Sequence, residues 1–201
     1  MCRNVYGVSG VLGVRPMNLN YKHLGMYLLA GIVSGLFCGL ITHFVGFGNF
    51  PYYAGPGLVL GIMIFLAGRY ISDIAPRNTW LSPLILVLAC AIGWFLAFKF
   101  GYAYEAEGFS FFGSGAIGGI FVAIGLALAW KLNRVWLVIA LTVLAGILGV
   151  LMWYLVTYFF DVFGFEDSWI MLFVSWQAIL LLAIGIAVQI DSNKSSTATL
   201  S

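Results

Sequence analysis

Charge is what this chain has least of. Lys and Arg total nine and Asp and Glu seven among 201 residues, whereas 63% of the residues are hydrophobic. A water-soluble domain carries about a quarter charged residues. A chain so short of charge cannot cover a water-facing surface, and a mean hydropathy of +1.05 points to lipid as its main solvent. The net charge of +2 is small, and without a basic cluster it excludes nucleic acid as a partner. Cysteine is also scarce. Cys2, Cys38 and Cys90 show no metal-ligand spacing, and two of them sit in apolar runs, which excludes a disulfide framework and a metal site. Alternating polar and apolar residues are missing from the long runs, which excludes a β-barrel. No cofactor motif is present.

The first 25 residues lack a continuous apolar stretch and include Arg3, Arg15, Pro16 and Lys22. They read as a cytoplasmic segment rather than a signal peptide, with Met17 as an alternative start. Cys2 alone is a weak lipidation signal.

Six apolar runs are present, at 25–46, 56–72, 82–100, 113–131, 135–160 and 169–190. Crossing the hydrocarbon takes about 20 residues as a helix, and backbone groups in lipid must be satisfied within the segment. The expected fold is therefore an all-α integral membrane protein of six transmembrane helices. Residues 1–24 form a cytoplasmic lead, 25–190 the membrane domain and 191–201 a flexible tail.

Basic residues fix the expected orientation. Arg3, Arg15, Lys22, Arg69, Arg77, Lys131, Arg134 and Lys194 fall on one side, and Glu105, Glu107, Asp161, Glu166 and Asp167 on the other, with Lys99 the exception. Excess Lys and Arg marks the cytoplasmic side, so both termini are expected there, in a bacterial inner membrane. Tyr21, Tyr27, Tyr70, Trp80, Trp130 and Trp136 form the expected inner aromatic belt. Tyr52, Tyr53, Tyr102, Tyr104, Tyr158 and Trp169 form the outer one.

A phrase recurs. LAGIVSGLFCGLITHF at Leu29 and LAGILGVLMWYLVTYF at Leu144 share eight identities at an offset of 115. GPGLVLGI at Gly55 and GSGAIGGI at Gly113 are related by 58. A fixed period marks a duplicated unit, here three tandem helical hairpins at 25–72, 82–131 and 135–190, repeated in one orientation. Small residues at spacing four, Gly31-Gly35-Gly39, Ala89-Gly93-Ala97 and Gly115-Gly119-Ala123, lie on single helix faces. Such faces let backbones approach closely in lipid, where hydrophobicity cannot hold helices together. Packing within the chain is the main expectation for them. A second use is docking against other membrane subunits or a second copy.

Motifs for chemistry are wanting. Gly113-Ser114-Gly115-Ala116-Ile117-Gly118 fits a dinucleotide pattern, but FSFF precedes it and no acidic residue follows before Asp161. That pattern needs a preceding strand and an acidic residue about 20 positions on. No Asp, Glu, Lys or Arg lies near the centre of any run, which argues against coupling through an intramembrane carboxylate. No catalytic set can be assembled, so enzyme activity is not expected.

The segments GFGNFPYYAGPG (46–57), GFSFFGSG (108–115) and FGFEDSW (163–169) set aromatics among glycines and read as outer loops. If they converge, they cap an apolar vestibule of the kind that small molecules occupy. The candidate ligand-binding residues are His43, Tyr52, Tyr53, Phe109, Phe111 and Gln177. The expected role is a transport component or permease for a neutral or apolar small solute. A non-catalytic scaffold subunit is the alternative, and a lipid-modifying enzyme a third.

Overall fold

The computed structural model describes residues 19–45, 50–104, 110–162 and 168–198. They form six helices: α1 (Tyr21–Val45), α2 (Phe50–Tyr70), α3 (Leu81–Ala103), α4 (Ser110–Ala129), α5 (Val135–Val162) and α6 (Ser168–Ala198). Each contains a window long and apolar enough to cross a bilayer. No strand occurs among the described residues, only an isolated bridge between Pro76 and Trp130.

The helices begin earlier than the apolar runs suggest. Residues 50–57 and 110–115 are the opening turns of α2 and α4, so Tyr53 and Phe111 stand on helices rather than in loops. The physical reason is that helical pairing satisfies the backbone through the interface, where aromatic side chains are well placed. Pro51 sits in the first turn, where a missing N–H costs nothing. Pro56 lies inside α2, but its carbonyl accepts the thiol of Cys38 at 3.5 Å. α6 extends to Ala198, so Asp191, expected in a tail, belongs to that helix.

Each helix packs on its sequence neighbours, and α6 closes back on α1. Across the ring α2 touches α6 lightly. Half of the α6 membrane window is buried, against a third for α1, α3 and α5. α6 is thus the innermost helix, and Leu180, Leu181 and Ile184 are fully covered. Outward faces such as Leu29, Val33, Phe37 and Phe44 on α1, or Leu84, Leu88 and Ile92 on α3, are apolar and exposed, as lipid-facing surface should be.

Glycines set the spacing of the ring. A Cβ on Gly57 or Gly61 of α2 would lie 2.5–2.6 Å from Ala91 and Val87 of α3. Fifty-eight residues on, a Cβ on Gly115 or Gly119 of α4 would strike Gly146 and Thr142 of α5. A further 58 reaches Phe173 and Gln177 of α6, whose backbones meet Gly35 and Gly31 of α1. At this third interface the small residues sit on the facing helix. Gly39 continues the contact against Ile170, and Gly93 lies against Phe121 of α4.

The end carrying the α2–α3 and α4–α5 turns is stitched by hydrogen bonds. The Arg77 guanidinium donates to the carbonyls of Ala127 and Trp130 at 3.2 and 3.0 Å. Ser82 donates to Ala129 at 2.7 Å. Asp191, only 5% exposed, accepts from the backbone N–H groups of Asn133 and Arg134, holding the start of α5. Gln189 exchanges bonds with the backbone of Asn20, at 2.7 and 3.2 Å. Asn20 in turn caps α1 through the N–H groups of Lys22 and His23.

Two expected belt residues prove to be core. Tyr27 is fully buried and its hydroxyl pairs with Ser72 at 3.0 Å. Trp130 is buried against Gly68, which leaves no room for a Cβ beside the indole. Tyr21, Tyr70, Trp80 and Trp136 are instead strongly exposed, as a belt requires.

Candidate ligand-binding site

At the opposite end of the bundle α3, α4, α5 and α6 enclose a cavity of about 280 Å³. α3 contributes Trp94, Phe98 and Tyr102, with Ala97 and Gly101 between them. A spacing of four puts the three aromatics on one face. The small residues beside them admit α4: a Cβ on Gly101 would lie 2.9 Å from the Ser114 hydroxyl. α4 adds Phe111, Ser114 and Gly115 from its opening turns. α5 adds Val150 and Trp153, and α6 adds Leu172, Phe173 and Trp176.

The aromatic rings form a connected lining. Trp94 lies 4.9 Å from Phe173 and 6.3 Å from Trp176, centroid to centroid. Phe98 lies 4.6 Å from Tyr102, and Phe111 lies 5.5 Å from Trp153. Trp176 is seated between two glycines, since a Cβ on Gly118 or Gly149 would come within 2.8 Å of it. No charged side chain lines the cavity. Ser114 donates its hydroxyl to the Ser110 carbonyl at 3.0 Å. The indole N–H groups of Trp94 and Trp176 are buried without an acceptor.

Of the six residues expected to bind a ligand, the four with described side chains are not brought together in one site. Phe111 lines the cavity. Tyr53 lies on the α2–α3 seam, 5.5 Å from Phe98 and beneath the Lys99 ammonium at 5.8 Å. Gln177 points the other way: its amide donates to the Cys38 sulfur at 3.3 Å, in a buried polar spot between α1 and α6. His43 is exposed at the end of α1, 5.3 Å from Phe44, away from the cavity. The Tyr52 side chain and Phe109 lie outside the described residues. Trp94, Phe98, Trp153, Phe173 and Trp176 are lining residues that sequence reasoning missed. The signal was there in part, as the stripe Trp94-Phe98-Tyr102 beside the small residues of α3.

Among the described residues no group of His, Cys, Asp and Glu is placed to hold a metal ion. Arg69 and Asp73 form an exposed ion pair at 2.9 Å, far along the chain from the cavity residues.

Six helices long and apolar enough to cross a bilayer define an integral, multi-pass α-helical membrane protein. Comparison of the chain with protein-family models, with curated proteins and with solved structures returned no match. Function has therefore to be read from the site itself.

Proposed function

We propose that the protein binds a neutral, ring-bearing apolar solute in this cavity and serves as a transport component for it. The observation that carries the reading is the lining: six aromatic rings beyond Phe111, small residues that leave space between them, and no charge. Small-molecule sites are concave and mostly apolar, with a few polar groups that fix orientation. Burial of ring faces supplies affinity, and stacked or edge-on contacts add to it. A charged solute would enter at a desolvation cost that nothing in the lining offsets.

The orientation belongs to the same proposal. The stitched end carries Arg69, Arg77, Lys131 and Arg134, so it faces the cytosol and the cavity opens toward the other side. The recurring contact at 57/61, 115/119 and 173/177 supports three tandem hairpins as the underlying plan. A scaffold role draws less support, because the glycine faces of α1, α2 and α4 are taken up inside the bundle. Catalysis is not part of this reading.

The test is binding of radiolabelled naphthalene to the protein in lipid nanodiscs, corrected for uptake by protein-free discs. Saturable binding is expected, and Ala97→Phe, which fills the cavity, abolishes it. Binding that Ala97→Phe leaves intact sinks the proposal.

A further inference from the structure

Arg77, Lys131 and Arg134 are exposed together at the stitched end of the bundle. The two turns that hold them lie side by side. The Arg77 N–H donates to the Ala129 carbonyl at 2.8 Å, and the Lys131 N–H to that of Ala75 at 3.3 Å. Among the described residues two carboxylates share this end. Asp73 is paired with Arg69, and Asp191 is buried and turned to the backbone of Asn133 and Arg134. Three cations thus stand against one carboxylate, and that one faces inward.

Two aromatic residues fix the depth of this patch. Trp80 precedes α3 and Trp136 opens α5, and they are 87% and 83% exposed. Exposed tryptophan belongs at the headgroup level of a bilayer, where cations meet lipid phosphates. α4 packs between α3 and α5. Leading away from the patch, its outward face is apolar and exposed at Leu128, Ile124 and Ile120, a spacing of four that keeps them in line. Charge suited to a headgroup and a track suited to acyl chains therefore adjoin. We infer that this corner binds an anionic phospholipid of the phosphatidylglycerol class, its phosphate held by Arg77, Lys131 and Arg134 and its chains lying along α4. A zwitterionic lipid brings an ammonium of its own, which the three cations repel. An acidic protein segment would suit the cations but leave the α4 track unused. The inference is independent of what the cavity holds and of which compartment this end faces.

The experiment titrates the detergent-solubilised full chain with phosphatidylglycerol and with phosphatidylcholine of identical acyl chains. Native mass spectrometry reads the first bound lipid. One cation near an anionic lipid is worth about five-fold in affinity, so phosphatidylglycerol is expected to bind about ten-fold tighter or more. Lys131→Gln and Arg134→Gln alter exposed side chains. Each should lower phosphatidylglycerol affinity about five-fold and leave phosphatidylcholine unchanged, which also shows the fold intact. Lys99→Gln removes the same charge at the opposite end and should change neither. Equal affinity for the two lipids overturns the inference, as it would if an acidic protein segment were the occupant. So does a preference that Lys131→Gln and Arg134→Gln leave intact, or that Lys99→Gln lowers as much.

Discussion

Gly35→Ala adds one methyl group at one of the two tightest glycine contacts between α1 and α6. Its Cβ would sit 2.5 Å from the Val174 Cα and 2.6 Å from the Phe173 carbonyl oxygen. Carbon atoms in contact prefer about 3.5–4.0 Å, so the two backbones must part locally by about 1 Å. Neither partner atom is a flexible side-chain end, so the strain cannot be relieved by a rotamer change. A gap of that size forfeits up to about half of each dispersion contact around it, and overpacking of this kind costs about 1–3 kcal/mol. In lipid there is no hydrophobic term to draw the helices back together. The control lies on the same helix. Gly25 has nothing within 4 Å of its Cβ position, so Gly25→Ala changes helix propensity alone, a gain of up to about 1 kcal/mol. Because both substitutions share that gain, their difference isolates the packing term, about 2 kcal/mol or about 30-fold in the unfolding equilibrium. Reversible unfolding in mixed SDS micelles measures it. Two variants that unfold within about 0.5 kcal/mol of each other would refute the close-approach account of this interface.

Asp191→Ala leaves the Asn133 and Arg134 N–H groups without their carboxylate; a loss of about 2 kcal/mol is expected in the same unfolding assay, with Asp191→Asn recovering part of it. Gly68→Ala drives a methyl into the Trp130 indole, so Trp130 leaves its pocket; a shift in emission relative to a Trp130→Phe control reports the move. Orientation is checked with a membrane-impermeant maleimide in a Cys2→Ser background, where Cys38 and Cys90 are buried and unreactive. Lys131→Cys should label from the cytosolic side only and Lys99→Cys from the other side only; the reverse pattern overturns the assigned orientation.

The six spans were legible because lipid leaves a chain few choices: a long apolar run must be a helix, and its length says how far it reaches. The small-residue spacings were legible for a related reason. Gly31, Gly35 and Gly39 share a face whatever they meet, and the only open matter was the partner, which is α6. The site was less legible. Tyr53 and Phe111 lie in segments whose glycines suggest loops, yet both belong to helices, because pairing the backbone outweighs glycine's local cost near the membrane. Gln177 was singled out as a rare polar residue in an apolar run, and that polarity is used against Cys38 rather than toward the cavity. Trp94, Phe173 and Trp176 were hidden by abundance. In a chain that is 17% aromatic, a ring facing inward and a ring facing lipid look alike until the helices are assembled.

Arg77, Ser82, Gln189 and Asp191 fasten together the turns and helix ends of one mouth of the bundle, and the cavity lies behind the other. Under the proposed function, a solute bound there would leave by that same side or pass sideways between helices into the bilayer. Under the proposed transport role, delivery to the far compartment would require those fastenings to be undone in concert.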